Sequence, residues 1–263
     1  MKQRNSLWIF GDSYAADHLH CTWQWHKLLA PKLDLDLRIV AQFGVSNEWI
    51  CMQLMNWYVG NLIKPGDVVI VNQTACGRHW FLQNFPELSN WYYSPPPPEY
   101  GVTQEQLTAI EMYYKHIQQG TVDSWKYDAT SAWLNHYNNK FAQQGITMLT
   151  LPGFGHATDI HPEGPVPVKG DLFSAVCTPE FTSQKAMDAY YARPFPDQRI
   201  NHMMKDNHAI LALALEKGIK AQQTIDLNIQ PWRLGILSIG TEAALKDQIS
   251  EKHFSLETQR AQK

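Results

Sequence analysis

Val68-Val69-Ile70-Val71 is apolar at every position and follows Lys64-Pro65-Gly66-Asp67, a turn sequence. A strand without polar alternation needs cover on both faces, the condition of a parallel sheet held between two helical layers. Three further strand candidates share its setting. Leu7-Trp8-Ile9-Phe10 stops at Gly11, residues 37–43 stop at Gly44, and residues 146–151 begin after Gly145. Helical patterns fill the intervals: 18–29 (closed by Pro31), 47–62, 103–118, 124–143 and 206–217. Thr103 and Gln106 have the spacing of a capping box. Residues 172–177 add a short fifth strand. Strands alternating with helices predict an α/β chain, a three-layer α/β/α sandwich of flavodoxin-like type, with about five parallel strands and right-handed crossovers.

A chain of 263 residues is long enough to bury one full core, so residues 1–263 are read as a single domain. Residues 85–145 interrupt the rhythm as a helical, aromatic-rich insertion. They carry Trp91-Tyr92-Tyr93 and then four consecutive prolines, which enforce polyproline geometry. Residues 241–263 form a polar, helix-prone tail. The net charge of −3, spread without runs of one sign, gives no footprint for nucleic acid. The four cysteines are far apart, contain no C-x-x-C pair and read as reduced thiols. Lys2 and Arg4 precede only four apolar residues, too few for a signal peptide, and the longest later apolar run, 209–215, is far below a membrane span. The expectation is a cytoplasmic protein without a membrane partner; carriage in a virus particle is a second route.

In a parallel sheet the loops at the carboxyl ends of the strands share one crevice. Three of them here begin Gly11-Asp12-Ser13, Gly44-Val45-Ser46-Asn47 and Asn72-Gln73-Thr74. A serine at the tip of the first strand is placed to act as a nucleophile. It needs a base, and Asn201-His202-Met203-Met204-Lys205-Asp206-Asn207-His208 brings histidine from the far end of the chain. Asp12 reads as structural, an acid that ties down its own turn through backbone N–H groups. His208, six residues after His202, reads as a packing or surface residue.

These blocks resemble the SGNH, or GDSL-type, hydrolases over about residues 6–216. Phe10-Gly11-Asp12-Ser13 matches the first block of that family, Phe43-Gly44-Val45-Ser46 the second, and the segment around His202 the last. The resemblance implies a serine esterase or deacetylase working without a cofactor on a small acyl ester, such as an O-acetyl group on a saccharide. Ser13 would be nucleophile and His202 base. The N–H groups of Ser13 and Gly44, with a side chain from Asn72 or Thr74, would hold the oxyanion. The sequence departs from the family twice. Cys76 stands where the asparagine of Gly-x-Asn-Asp is expected, and Arg199 stands three residues before His202, where the acid belongs. Asp197 is the nearest acid and is assigned to orient the imidazole.

Trp91, Tyr92 and His156 are the candidate substrate-binding residues. Asp17-His18-x-His20-Cys21 and His156-x-x-Asp159-x-His161 hold ligand-type side chains without a recognised metal spacing, so no metal is expected. A rival reading keeps the fold as a binding or structural module, for example of a virus particle. The two departures favour it.

Overall fold

The computed structural model describes residues 4–17, 21–75, 78–80, 101–116, 121–153, 164–172 and 205–232. Its elements in chain order are β1 (Ser6–Gly11), α1 (Trp25–Leu33), β2 (Asp36–Ala41), α2 (Asn47–Val59), β3 (Val68–Gln73), α3 (Gln104–His116), α4 (Thr121–Gln143), β4 (Thr147–Pro152), β5 (Val168–Lys169), α5 (Lys205–Ala221) and β6 (Ile225–Asp226), with a 3-10 turn at Leu227–Ile229.

The main sheet has strand order β2-β1-β3-β4, with every neighbour parallel. Because its side chains point alternately to opposite faces, β1 serves two cores. Leu7 and Ile9 pack with Val68, Ile70, Leu149 and Leu151 beneath Trp25 and Leu29 of α1 and Leu211 and Leu215 of α5. Trp8 and Phe10 pack with Val69, Val71 and Met148 beneath Ile50 and Leu54 of α2 and Leu134 and Phe141 of α4. Both faces are therefore covered, as the wholly apolar β3 requires. Each such fully buried aliphatic side chain stabilises the fold by about 1.5–3 kcal/mol. The helix between β1 and β2 lies on one face. The helices of the crossovers running the other way lie on the opposite face, as one handedness of connection demands.

The described main sheet has four strands rather than five. Leu172 is buried but not in a strand, and residues 173–177 lie outside the described residues. A separate parallel pair, β5 with β6, instead extends the α1/α5 core through Val168 and Ile225.

The first helix is also corrected. Residues 21–24 are not helical; α1 starts at Trp25 and includes Pro31. The start is late because the Gln24 amide is drawn back to the Ala16 carbonyl (2.8 Å) instead of capping the helix. Pro31 forfeits only its own N–H bond. The helix runs on to Leu33 and closes through Asp34, with the Leu35 N–H on the Ala30 carbonyl (3.1 Å).

At the amino end of the sheet, the buried Asp67 carboxylate accepts from Ser6 N–H (2.8 Å), Trp8 Nε1–H (2.9 Å) and Lys64 N–H (2.9 Å). It fastens β1 to the turn before β3. Among the described residues no helix is long and apolar enough to cross a membrane.

Candidate active site

The connections of β1 and β3 leave in opposite directions, so these neighbouring strands form the topological switch point, where open α/β sheets place ligands. The chain beyond Gly11 folds into a tight turn. The Asp12 carbonyl accepts from Ala15 N–H (3.0 Å) and Ala16 N–H (2.8 Å), and Asp12 Oδ1 accepts from Tyr14 N–H (3.0 Å). Ser13 N–H is not among the donors that close this turn, and Ser13 stands at its tip. The residue keeps 8% of its surface exposed, and its hydroxyl makes no hydrogen bond among the described residues. The far side of the turn is anchored to the start of α1, where Trp25 Nε1–H donates to the Tyr14 carbonyl (2.9 Å).

Asp12 is fully buried, and a bare carboxylate there would be costly. Its Oδ2 accepts from the Thr74 hydroxyl (2.7 Å) and from Arg78 Nη1 (2.9 Å). The structural reading of Asp12 holds, with a cation added. The sequence alone did not single out Arg78. The signal was available in principle: Arg78 is the first cationic residue after β3, in the loop that leaves the sheet beside the Asp12 turn.

The second loop is joined to the third by Asn47, another residue not assigned in advance. Thr74 N–H donates to Asn47 Oδ1 (2.9 Å) and Asn47 Nδ2–H donates to the Thr74 carbonyl (3.0 Å). Ser46 caps α2, accepting from Trp49 N–H (3.3 Å). Gly44 opens this loop at φ 74°, a left-handed conformation that glycine adopts without strain.

The two candidate oxyanion side chains are both engaged. Thr74 directs its only hydroxyl proton to Asp12. Asn72 Nδ2–H donates to the adjacent Gln73 carbonyl (3.1 Å), and Asn72 Oδ1 is buried without a partner among the described residues. Asn72 lies between two glycines. A Cβ on Gly11 would fall 2.8 Å from Asn72 Cβ, and one on Gly153 would fall 2.6 Å from Asn72 Nδ2.

Beyond Arg78, His79 is buried with Nδ1 2.5 Å from Lys126 Nζ, and Lys126 in turn reaches Glu48 Oε1 (3.0 Å). An ammonium has no acceptor, so His79 Nδ1 is the accepting nitrogen. This cluster binds the segment after β3 to α4 and α2. On α2, burial, and secondarily the Glu48 carboxylate one turn back, push the Cys51 thiol up to about 12. Neither Cys51 nor the buried Cys21 is joined in a disulfide.

The last element to reach this rim is α5. His208 Nδ1 accepts the N–H of Trp25 (3.1 Å), and Trp23 meets the His208 ring edge-on at a centroid separation of 4.9 Å. His208 is thus a packing residue, and it fastens the first turn of α5 to the first residue of α1, beside the serine turn.

Of the residues singled out in the sequence, Ser13, Gly44 and Thr74 lie in the loops at the carboxyl end of the sheet, and Asn72 lies inside the end of strand β3 that leads to them. His202, Asp197, Trp91, Tyr92 and His156 lie outside the described residues, as do Cys76 and most of both histidine clusters. Among the described residues there is no grouping of side chains suited to a metal ion.

No protein-family model matches the chain, and no curated protein matches it. Solved structures with a likeness include protein YxiM from Bacillus subtilis, 14% identical over 99% of this chain, with a TM-score of 0.37. The chain spans 57% of the length of that structure. Another is a G-D-S-L family protein from Desulfitobacterium hafniense DCB-2. It is 13% identical, with 56% of this chain and 77% of that chain covered and a TM-score of 0.26.

Proposed function

We propose that this chain is a serine esterase of the SGNH, or GDSL, type that removes a small acyl group, such as an O-acetyl group carried on a saccharide. Ser13 Oγ attacks the ester carbonyl while His202 takes its proton. Collapse of the tetrahedral adduct expels the alcohol, which leaves with that proton. Water then attacks the acyl-serine with the same imidazole as base, freeing the acid and restoring Ser13. Asp197 orients His202. The N–H groups of Ser13 and Gly44 hold the oxyanion, each such donor being worth about 2.7–4 kcal/mol of barrier.

One relationship supports this above the rest: among the described residues Ser13 keeps its hydroxyl unengaged at the switch point, and α5 is pinned by His208 to the same rim. His202 precedes Lys205 by three residues, a link of no more than about 10 Å. With Thr74 committed to Asp12, the main-chain donors carry the oxyanion in this proposal, a leaner arrangement than one with an asparagine.

The test is a fluorophosphonate probe on the full chain, followed by peptide mapping. A covalent adduct on Ser13, lost in Ser13→Ala and strongly slowed in His202→Ala, is the expected result. Well-folded protein that takes no adduct overturns the esterase and leaves the binding module, whose case is the absent family asparagine.

A further inference from the structure

We infer that Arg78 is a positioning residue for the oxyanion site, acting through Asp12 and Val45; this rests on the role proposed for Ser13. The guanidinium and the carboxylate are both buried, at side-chain exposures of 9% and 0%. Arg78 Nη1 lies 2.9 Å from Asp12 Oδ2 and makes a longer contact, 3.5 Å, with the Val45 carbonyl. Asp12 is the residue before Ser13, and Val45 is the residue after Gly44. A single nitrogen therefore touches the immediate chain neighbours of both proposed main-chain donors and sets the spacing between their loops.

A second route runs in parallel. Asp12 Oδ2 holds the Thr74 hydroxyl, and the Thr74 main chain is doubly bonded to Asn47. The routes differ in what they fix. Thr74 and Asn47 tie the end of β3 to the start of α2, whereas Arg78 reaches the loop that carries Gly44. Arginine suits this task because its planar group is always charged and presents several N–H donors in fixed directions, whereas lysine supplies a compact charge on a flexible stem. An oxyanion site depends on donors held in place before reaction. A displacement of about 1 Å away from the chemistry can cost on the order of 10²-fold in rate.

The experiment compares the full-length wild type with Arg78→Lys and with the double variant Asp12→Asn/Arg78→Gln. A single neutral replacement of Arg78 would strand the buried Asp12 charge and endanger folding, whereas the double change leaves no unpaired buried charge. The second-order rate of fluorophosphonate labelling at Ser13 is measured per folded molecule, beside kcat and KM for p-nitrophenyl acetate. The double variant is expected to keep its melting transition but to label about 10²-fold more slowly, with the loss in kcat and little change in KM. Arg78→Lys is expected to recover part of the rate. A folded double variant that labels at the wild-type rate, or a loss confined to KM, overturns the role of Arg78 while leaving Ser13 as nucleophile. A wild type that does not label overturns the serine reading, and the role of Arg78 falls with it.

Discussion

His208 Nδ1 accepts the N–H of Trp25 at 3.1 Å across 183 residues of chain. The bond joins the first turns of α5 and α1, and the same Trp25 holds the serine turn through its Nε1–H on the Tyr14 carbonyl. Replacing His208 by Ala leaves the Trp25 N–H buried without that acceptor, an expected loss of about 1–3 kcal/mol in denaturant unfolding. Labelling of Ser13 per folded molecule should slow as well, because the segment bearing His202 loses its anchor. An unchanged unfolding midpoint would remove the anchoring role.

Gly153→Ala tests the packing around Asn72. The added Cβ would meet the Gln73 carbonyl oxygen at 2.5 Å and Asn72 Nδ2 at 2.6 Å, and the first of these is backbone that yields little. The expected cost is about 1–3 kcal/mol by thermal or denaturant unfolding. A variant as stable as wild type would show that the ends of β3 and β4 separate more readily than the structure implies.

Cys51 predicts a pH dependence of stability. Its thiol ionises near 9.0 in the unfolded chain and near 12 in the folded one, because burial and then Glu48 oppose the thiolate. The resulting stabilisation is complete below pH 9 and is lost as pH rises from 9 towards 12. Cys51→Ala should show a shallower fall of stability over that range. In the native protein at pH 8 the raised pKa keeps Cys51 as the thiol, so its alkylation should be much slower than in the unfolded chain. Rapid native alkylation of Cys51 would contradict the assignment.

Asp67 sits at the opposite end of the sheet from Ser13. Asp67→Ala strands the N–H groups of Ser6, Trp8 and Lys64, with an expected loss on the order of 3 kcal/mol in denaturant unfolding. The labelling rate of Ser13 in the remaining folded molecules should not change. A selective loss of Ser13 reactivity in folded protein would mean that the two ends of the sheet are coupled.

The layers of this fold were legible in the sequence because they depend on local patterns. The apolar run at 68–71 dictated cover on both faces, and it is covered on both. Thr103 and Gln106 announced a capping box, and each side chain bonds the other's main-chain N–H (2.9 and 3.2 Å). Asp12 was legible as a turn acid for the same reason, since its Oδ1 bond spans two residues. Its partner Arg78 is 66 residues away, and Asn47 meets Thr74 across 27. No periodicity encodes such pairs; they exist only once β1 and β3 are neighbours. The start of the first helix was misjudged because a single side-chain amide, that of Gln24, decides it by bonding backwards to Ala16.

Asn47 reproduces with its amide the donor and acceptor that a further strand would offer to Thr74. At this rim the final rung of the ladder is therefore a side chain from a helix, not a main chain. Such a rung can be released by rotation about two single bonds, without unzipping any strand. Opening of that rung alone, with the hydrophobic layers shut, is expected to show as deuterium uptake at the Thr74 amide faster than at Val71.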